Sequence, residues 1–295
     1  MTDVREGTVP FEDGETWYRV TGDPTTGATP LVVLHGGPGA THDYLLALTD
    51  LAGPRAVVHY DQLGNGRSSH FPERGADFWT VELFVRELHN LVDALGIRER
   101  HHVLGQSWGG FLAQEYALTQ PRGLQALVLA DTAASFPDFV AEANRLRAEL
   151  PAYVEATLRR HEEAGTTGDP EYVEACLVFY RRHVCRVDWP PEVAASFEWI
   201  DRDPTVYHTM NGPSEFHCIG SLKTWDITAR LHEISTPTFL VSGRHDEATP
   251  HIVEQIQTRV PGAQWRLFEN SSHMPHVEEP DAFLATVEAF LKTVD

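Results

Sequence analysis

The sequence predicts an α/β fold in which a mostly parallel central sheet is flanked by helices. Short apolar runs, typical of buried parallel strands, alternate with segments whose apolar residues recur at helical spacing. This alternation indicates βα units, because parallel strands need a long crossover between them, and the crossover is usually a helix. The alternation stops after about residue 132 and resumes at about residue 236, which predicts a helical insertion.

The predicted strands are short. The first, at residues 16–20, alternates weakly and is expected to be antiparallel to its neighbour. The others are continuous apolar runs of the kind that a parallel sheet buries on both faces. They lie at residues 31–34, 56–60, 102–104, 127–130, 238–241 and 265–268.

The predicted helices fall into two groups. Thr80 caps a helix that Gly96 closes, and further flanking helices are expected at residues 111–118, 251–259 and 280–291. The insertion reads as helices at residues 139–150, 152–164, 171–186 and 191–201, separated by proline-rich breaks. We therefore expect an α/β core domain made of residues 1–132 and 236–295, and a helical cap made of residues 133–235.

The composition fits a globular enzyme and disfavours some partners. Of the 295 residues 42% are hydrophobic, and the formal net charge is -20. So acidic a chain repels nucleic-acid phosphates and anionic membrane surfaces, so we expect neither as a partner. Residues 1–6 contain no apolar signal segment, and no apolar run is long enough to span a membrane. These features predict a cytoplasmic location and leave the oligomeric state open.

The cysteines and histidines show no metal-binding pattern. Cys176, Cys185 and Cys218 lack zinc-site spacing and are expected to be free thiols in a reducing compartment. None of the 16 histidines falls into a His-Glu-x-x-His pattern. We expect neither a metal nor an organic cofactor.

A Gly-x-Ser-x-Gly motif surrounds Ser107, between a predicted strand and a predicted helix. A strand, a tight turn with serine at its apex and then a helix form the nucleophile elbow of α/β-hydrolases. Gly105 and Gly109 would keep side chains off the crowded backbone, and the free N–H groups at the helix N-terminus favour developing negative charge. The five-residue pattern also occurs by chance, so the interpretation depends on the partners of Ser107.

A nucleophilic serine needs a base and an orienting acid, which in this fold follow it in the order acid, histidine. Asp246 and His273 each lie a few residues after a predicted strand. Asp131 is the rival acid and His276 the rival base. His273 is preferred because it lies nearer its strand and opens a His-x-x-x-x-Glu-x-Pro pattern. We expect Ser107, Asp246 and His273 to form a catalytic triad.

A glycine-rich loop, His-Gly-Gly-Pro-Gly at residues 35–39, follows the strand at residues 31–34. Glycines let backbone N–H groups approach a ligand closely. In α/β-hydrolases such a loop supplies half of the oxyanion hole, and the residue after the nucleophile supplies the other half. The expected donors are Gly37 and Trp108. A phosphate-binding loop is disfavoured, because no Lys-Ser or Lys-Thr pair follows the glycines.

Together these motifs resemble the proline iminopeptidases. The likeness rests on residues 35–39, on Asp-Gln-x-Gly-x-Gly-x-Ser at 61–68, on the elbow and on Gly-x-x-Asp at 243–246. In the insertion, residues 188–193 and 210–216 resemble the archaeal tricorn-interacting aminopeptidase branch. The elbow departs from the family pattern once, because Gln106 stands where these enzymes usually carry glycine.

The resemblance implies an aminopeptidase that acts on short peptides or amino-acid amides. In that branch, glutamates of the cap and the core bind the α-ammonium group of the substrate. By motif they fall on Glu215 and Glu247, and Tyr207 and Trp108 are further expected pocket residues. Two carboxylates in a partly dry pocket favour a cation and reject a blocked N-terminus.

Other functions stay open on the sequence alone. An amidase, esterase or lactonase with a similar frame would need no free amine, and a non-catalytic ligand receptor could share the fold. The Gln106 departure leaves the preference for proline open. Epoxide hydrolases and dehalogenases are disfavoured because they use aspartate at the elbow apex, and the complete set of serine, acid and histidine favours an enzyme.

Overall fold

The computed structural model describes residues 3–25 and 27–295. Within these ranges eight strands form one sheet, ordered β1-β2-β4-β3-β5-β6-β7-β8. The strands are β1 Val4–Phe11, β2 Gly14–Thr21, β3 Ala28–Leu34, β4 Arg55–Tyr60, β5 His101–Gln106, β6 Leu124–Ala130, β7 Thr238–Gly243 and β8 Gln264–Phe268. The pairs β1/β2 and β2/β4 are antiparallel, and the remaining pairs are parallel. The predicted α/β fold with a mostly parallel sheet is confirmed.

Helices lie on both faces of the sheet. The flanking α-helices are α1 Val81–Ala94 and α2 Trp108–Leu118, and later α8 Pro250–Arg259, α9 Pro275–Glu278 and α10 Pro280–Leu291; a 3-10 helix spans Asp43–Leu51. As predicted, Thr80 caps α1, because its hydroxyl oxygen accepts the Leu83 N–H at 3.2 Å. Within the described residues, no helix has both the length and the apolar character needed to cross a bilayer.

The segment between β6 and β7 is helical. It contains α3 Phe136–Arg147, α4 Ala152–Ala164, α5 Pro170–His183, α6 Pro191–Arg202 and α7 Thr205–Met210, followed by 3-10 helices at Ser221–Thr224 and Thr228–Glu233. Helices α3, α4 and α5 share an apolar cluster of their own, which includes Leu146, Leu158 and Phe179. The division into core and cap domains stays a prediction.

The sheet is buried on both faces, as continuous apolar strands require. On β3, Val32 belongs to one apolar cluster, and Leu31 and Val33 belong to the other. Because strands β3 to β8 run parallel to one another, their carboxyl ends lie at one edge of the sheet, on the side of the helical segment. Loops that leave this edge carry the candidate functional residues.

Candidate active site

Ser107 sits at the turn between β5 and α2 in a strained backbone conformation, with φ 57° and ψ −125°. Residues other than glycine rarely adopt a positive φ, and such strain concentrates at functional sites. A Cβ atom added to Gly105 would lie 2.1 Å from the Gly109 carbonyl oxygen, and one added to Gly109 would lie 2.2 Å from the Leu34 carbonyl oxygen. The close backbone approach explains why glycine stands on both sides of this turn.

His273 and Asp246 are directly bonded. The Nδ1 atom of His273 lies 2.7 Å from Oδ1 of Asp246, and the same oxygen accepts the Ala248 N–H at 2.8 Å. Because Nδ1–H donates to the carboxylate, Nε2 of the neutral ring is free to accept a proton. Burial lowers the pKa of His273, but the charge of Asp246 and its hydrogen bond outweigh burial and leave this pKa above its ordinary value.

Ser107 and His273 line the same cavities. Within the described ranges, the Ser107 hydroxyl forms no hydrogen bond with His273. Bonds between a nucleophile and its base are often long before substrate is bound. The serine and the imidazole therefore share a reaction space, although they do not touch.

The rival base and the rival acid have other partners. Nε2 of His276 donates to the Tyr44 carbonyl oxygen at 3.1 Å, and burial lowers the pKa of His276 to about 3. Asp131 lies at the end of β6, where its Oδ1 accepts the Gly243 N–H at 3.2 Å. It lies beside Asp246, and the His273 ring donates its hydrogen bond to Asp246.

The expected oxyanion donors adjoin Ser107. Gly37 and Trp108 line a small cavity of about 10 Å³ together with the serine. Across residues 3–25 and 27–295, neither backbone N–H donates to a protein acceptor. The Trp108 side chain is held in place, since its Nε1–H donates to Gln62 Oε1 at 2.8 Å. Both amides are therefore available to a developing oxyanion.

Two carboxyl groups, those of the half-buried Glu215 and the buried Glu247, face a larger cavity that Ser107 also lines. Glu215 Oε1 accepts the Tyr207 hydroxyl at 2.5 Å. Glu247 Oε1 lies 3.7 Å from His273 Nε2, and Glu247 Oε2 is buried without a hydrogen-bond donor among the described residues. No lysine or arginine of the described chain pairs with either glutamate.

Burial raises the proton affinity of both acids, and neighbouring negative charge adds to it for Glu247. Burial raises the pKa of Glu215, while the Tyr207 hydrogen bond and the charge of His273 oppose the rise. Burial also raises the pKa of Glu247 well above its ordinary value, and the charges of Glu215 and Asp246 add to the rise. A cation bound between the two glutamates would relieve this repulsion.

The larger cavity has a polar end and an apolar end. Its volume is about 350 Å³. Ser107, His273 and the two glutamates form the polar end. The other end is formed mainly by apolar side chains of α5, α6 and the loop between them: Val173, Leu177, Tyr180, Val184, Trp189, Val193, Phe197 and Ile200.

Sequence reasoning missed two residues that support the site. Gln106 was noted only as a departure from the family pattern, yet its Nε2 donates to the His273 carbonyl oxygen at 2.9 Å. Its Oε1 accepts the hydroxyl of Tyr44. Tyr44 lies in the 3-10 helix Asp43–Leu51, where no local sequence signal marks it.

One group of side chains has metal-ligand spacing. Ligand atoms of His161, Asp169 and Glu171 lie within 4.8 Å of one another. Glu171 already pairs with Arg160 at 2.6 Å, and the acidic members are exposed. These three residues line neither of the cavities at Ser107.

The sheet order and the strained serine after β5 together define an enzyme of the α/β-hydrolase class. The family model described as "alpha/beta hydrolase fold" matches residues 29–280. The chain is 38% identical to the proline iminopeptidase of Heyndrickxia coagulans over 278 residues, which cover 92% of this chain and 93% of that protein.

Solved structures agree with this comparison. A proline iminopeptidase from Mycobacterium smegmatis superposes with a TM-score of 0.89 at 47% identity, covering 98% of both chains. The crystal structure of VinJ superposes with a TM-score of 0.97 at 52% identity, covering 99% of both chains. The chain belongs to the proline iminopeptidase family of α/β-hydrolases.

Proposed function

We propose that this protein is a serine aminopeptidase that releases the N-terminal residue, proline among the candidates, from short peptides or amino-acid amides. The observation that carries the proposal is the pair of glutamates, the half-buried Glu215 and the buried Glu247, that face the same cavity as Ser107. Two carboxylates that pair with no lysine or arginine among the described residues suit an ammonium group. The names of the relatives point to the same substrate class.

In the proposed mechanism Ser107 is the nucleophile, His273 the general base and Asp246 the orienting acid. Ser107 Oγ attacks the carbonyl carbon of the first residue, and His273 Nε2 takes the hydroxyl proton. The N–H groups of Gly37 and Trp108 bind the oxyanion, and each such donor is typically worth about 3 kcal/mol.

The second half of the reaction regenerates the enzyme. As the carbon–nitrogen bond breaks, His273 donates its proton to the leaving nitrogen, and an aminoacyl ester remains on Ser107. A water molecule then attacks the ester carbonyl and gives a proton to His273. The ester bond breaks, Ser107 Oγ recovers the proton, and the free amino acid leaves.

The substrate's free amine would be held from two sides in this proposal. Glu215, fixed by the Tyr207 hydroxyl, reaches the cavity from the segment between β6 and β7, and Glu247 reaches it from the loop after β7. The inserted helices then act as a cap that closes over the amine. We further propose that the enzyme works in the cytoplasm without a metal or an organic cofactor, and that nucleic acids and membranes are not its partners.

A substrate panel tests the proposal. Proline, alanine and leucine anilides are assayed with free and with acetylated amines, using wild type and Ser107→Ala. We expect acetylation to lower kcat/KM by about 100-fold or more, because the charged hydrogen bonds to both glutamates are lost. Glu215→Gln is expected to lose about 10- to 100-fold on free amines only.

Controls separate the competing functions. Glu198→Gln changes an exposed glutamate of α6 and should behave as wild type. Equal rates on free and acetylated substrates, unaffected by Glu215→Gln, would instead favour an amidase, esterase or lactonase that needs no amine. Full activity of Ser107→Ala would refute the nucleophile assignment.

A further inference from the structure

Asp131 lies directly beside the acid of the proposed triad, and the mechanism above gives it no role. It follows the last residue of β6 with a positive φ of 51° and is fully buried. Its backbone N–H donates to the Val241 carbonyl oxygen at 2.9 Å, and its Oδ1 accepts the Gly243 N–H at 3.2 Å. The end of β7 therefore fixes the position of this carboxyl group.

The carboxyl groups of Asp131 and Asp246 each have one oxygen, Oδ2, that receives no hydrogen bond from the described residues. Asp246 receives both of its donors, His273 and the Ala248 N–H, on Oδ1. Its Oδ2 and the Oδ2 of Asp131 are both buried and have no donor within residues 3–25 and 27–295. The two side chains nevertheless lie within hydrogen-bonding reach of each other. Two ionised carboxylates at this distance would repel each other, whereas one added proton would satisfy both unpaired oxygens.

We infer that Asp131 is a positioning residue that is a neutral carboxylic acid in the active enzyme and donates its O–H to Oδ2 of Asp246. The inference rests on the proposed function, in which Asp246 orients His273. The extra donor fixes the Asp246 carboxylate from the side opposite His273 and spreads its negative charge. It thereby limits how strongly Asp246 raises the proton affinity of the imidazole.

The surrounding groups favour the proton on Asp131. Burial raises the pKa of Asp131 well above its ordinary value, and the charges of Asp246 and Glu278 add to this, while the Gly243 N–H opposes it. Asp246 already accepts two hydrogen bonds, from His273 and from a backbone N–H, so a proton shared by the pair is placed on Asp131. Other titratable groups around this pair are Tyr44, Glu247 and His183.

Asp131→Asn is the informative variant. Asparagine keeps the size, tolerates a positive φ and retains a donor for Asp246. The assay uses a nitrophenyl ester without an amine, so that titration of Glu215 and Glu247 through amine binding does not enter. The acidic limb of the pH profile of kcat/KM reports the pKa of the catalytic base in the free enzyme. If Asp131 is neutral, this limb should not move. A downward move of about one pH unit or more would show that a negative charge was removed, and would overturn the inference.

Asp131→Ala removes the donor without adding charge. We expect kcat to fall roughly 10-fold or more with little change in KM, and the acidic limb to move to higher pH, because the Asp246 charge is less dispersed. Recovery of the wild-type profile by asparagine but not by alanine separates positioning from packing. An alanine variant with the wild-type kcat and profile would overturn the inference.

Two further measurements keep the test independent of the proposed function. At neutral pH the infrared carbonyl absorption of protonated carboxylic acids should be weaker in Asp131→Asn than in wild type by the contribution of one group, because Glu87 and Glu247 contribute equally to both spectra; identical spectra would overturn the inference whatever the enzyme hydrolyses. Failure of the proposed function itself would be recognised differently, by wild type and Ser107→Ala hydrolysing the ester equally.

Discussion

At the scale of single residues, Gln106 links three parts of the site through its side-chain amide. It donates to the main-chain oxygen of His273 and accepts from the hydroxyl of Tyr44. That hydroxyl in turn accepts the Gly36 N–H at 2.7 Å. The histidine loop and the loop that contains Gly37 are thus held to the elbow strand by one buried side chain.

This linkage predicts a catalytic cost for Gln106→Met. Methionine has a similar volume but replaces neither hydrogen bond, and each buried bond contributes about 1 kcal/mol. We expect kcat to fall about tenfold, measured with the best anilide alongside the thermal midpoint. Tyr44→Phe, which leaves the bond from Gln106 to His273 intact, should have a smaller effect. A methionine variant with the wild-type kcat would show that Gln106 only fills space.

How far the sequence predicts the site depends on whether a residue is marked by its local context. Ser107, Asp246 and His273 each follow a strand end, so their convergence was predictable from strand order alone. Glu215 and Glu247 were found through the family likeness, because nothing local distinguishes them from solvated carboxylates. The contacts of Gln106 and Asp131 were not predictable, since they join residues 167 and 112 positions apart.

At the scale of elements, the approach of α2 to β3 depends on Gly109. A Cβ atom there would meet the Leu34 carbonyl oxygen at 2.2 Å, and backbone atoms of a central strand cannot move aside cheaply. We expect Gly109→Ala to lower the free energy of unfolding by about 1–3 kcal/mol or more, measured by urea denaturation.

A glycine with open space around it controls for the loss of chain flexibility when glycine is replaced by alanine. At Gly53 an added Cβ has no neighbour within 4 Å. Gly53→Ala should therefore stay within about 0.5 kcal/mol of wild type. If both alanine variants unfolded at the same urea concentration, steric crowding at the elbow would not explain the glycine at position 109.

Among the helices and strands, long elements with a clear hydrophobic pattern were predicted best. Helices α4 and α10 begin and end at the predicted residues. Strand β1 was missed because Gly7 and Pro10 break its pattern. Pro10 is tolerated in this strand because β1 lies at the edge of the sheet. The short helices α7 and α9 were missed because one or two turns show no periodicity.

At the scale of the whole molecule, the cavity of about 350 Å³ has room for more than a single amino acid. Beyond Ser107 its wall is formed by apolar side chains of α5 and α6, including Leu177, Phe197 and Ile200. With the amine held by Glu215 and Glu247, this apolar end is left for the leaving group. The shape favours leaving groups that are large and apolar over charged ones.

An alkylamide series measures this preference. For amides of one amino acid with leaving amines from methylamine to hexylamine, kcat/KM should rise about three- to fourfold per CH₂, since each buried CH₂ contributes about 0.8 kcal/mol. Phe197→Ser should flatten the rise without changing the methylamide. A rate independent of chain length would contradict the assignment of the apolar end to the leaving group.

Stability of the whole molecule is predicted to depend on pH through Glu87, which joins α1 to the sheet. Its Oε1 accepts the Thr16 hydroxyl and the Leu63 N–H, and its buried Oε2 has no donor in the described ranges. Burial raises the pKa of Glu87 to about 8, and a nearby negative charge adds to the rise, whereas both hydrogen bonds oppose it. The folded state therefore holds this proton more tightly than the unfolded chain does.

The sign of the pH effect follows from that difference. Between the unfolded pKa of about 4.3 and the folded value near 8, the folded protein binds more protons, so its stability falls as pH rises through this window. Glu87→Gln removes the pH effect of this one group. The difference in the free energy of unfolding between wild type and variant should therefore change by up to about 1 kcal/mol per pH unit. Urea unfolding from pH 5 to 9 measures it, with Glu82→Gln, an exposed position on the same helix, as control. Parallel curves for wild type and Glu87→Gln would contradict this prediction, because they would mean that the folded protein does not hold the Glu87 proton more tightly than the unfolded chain does.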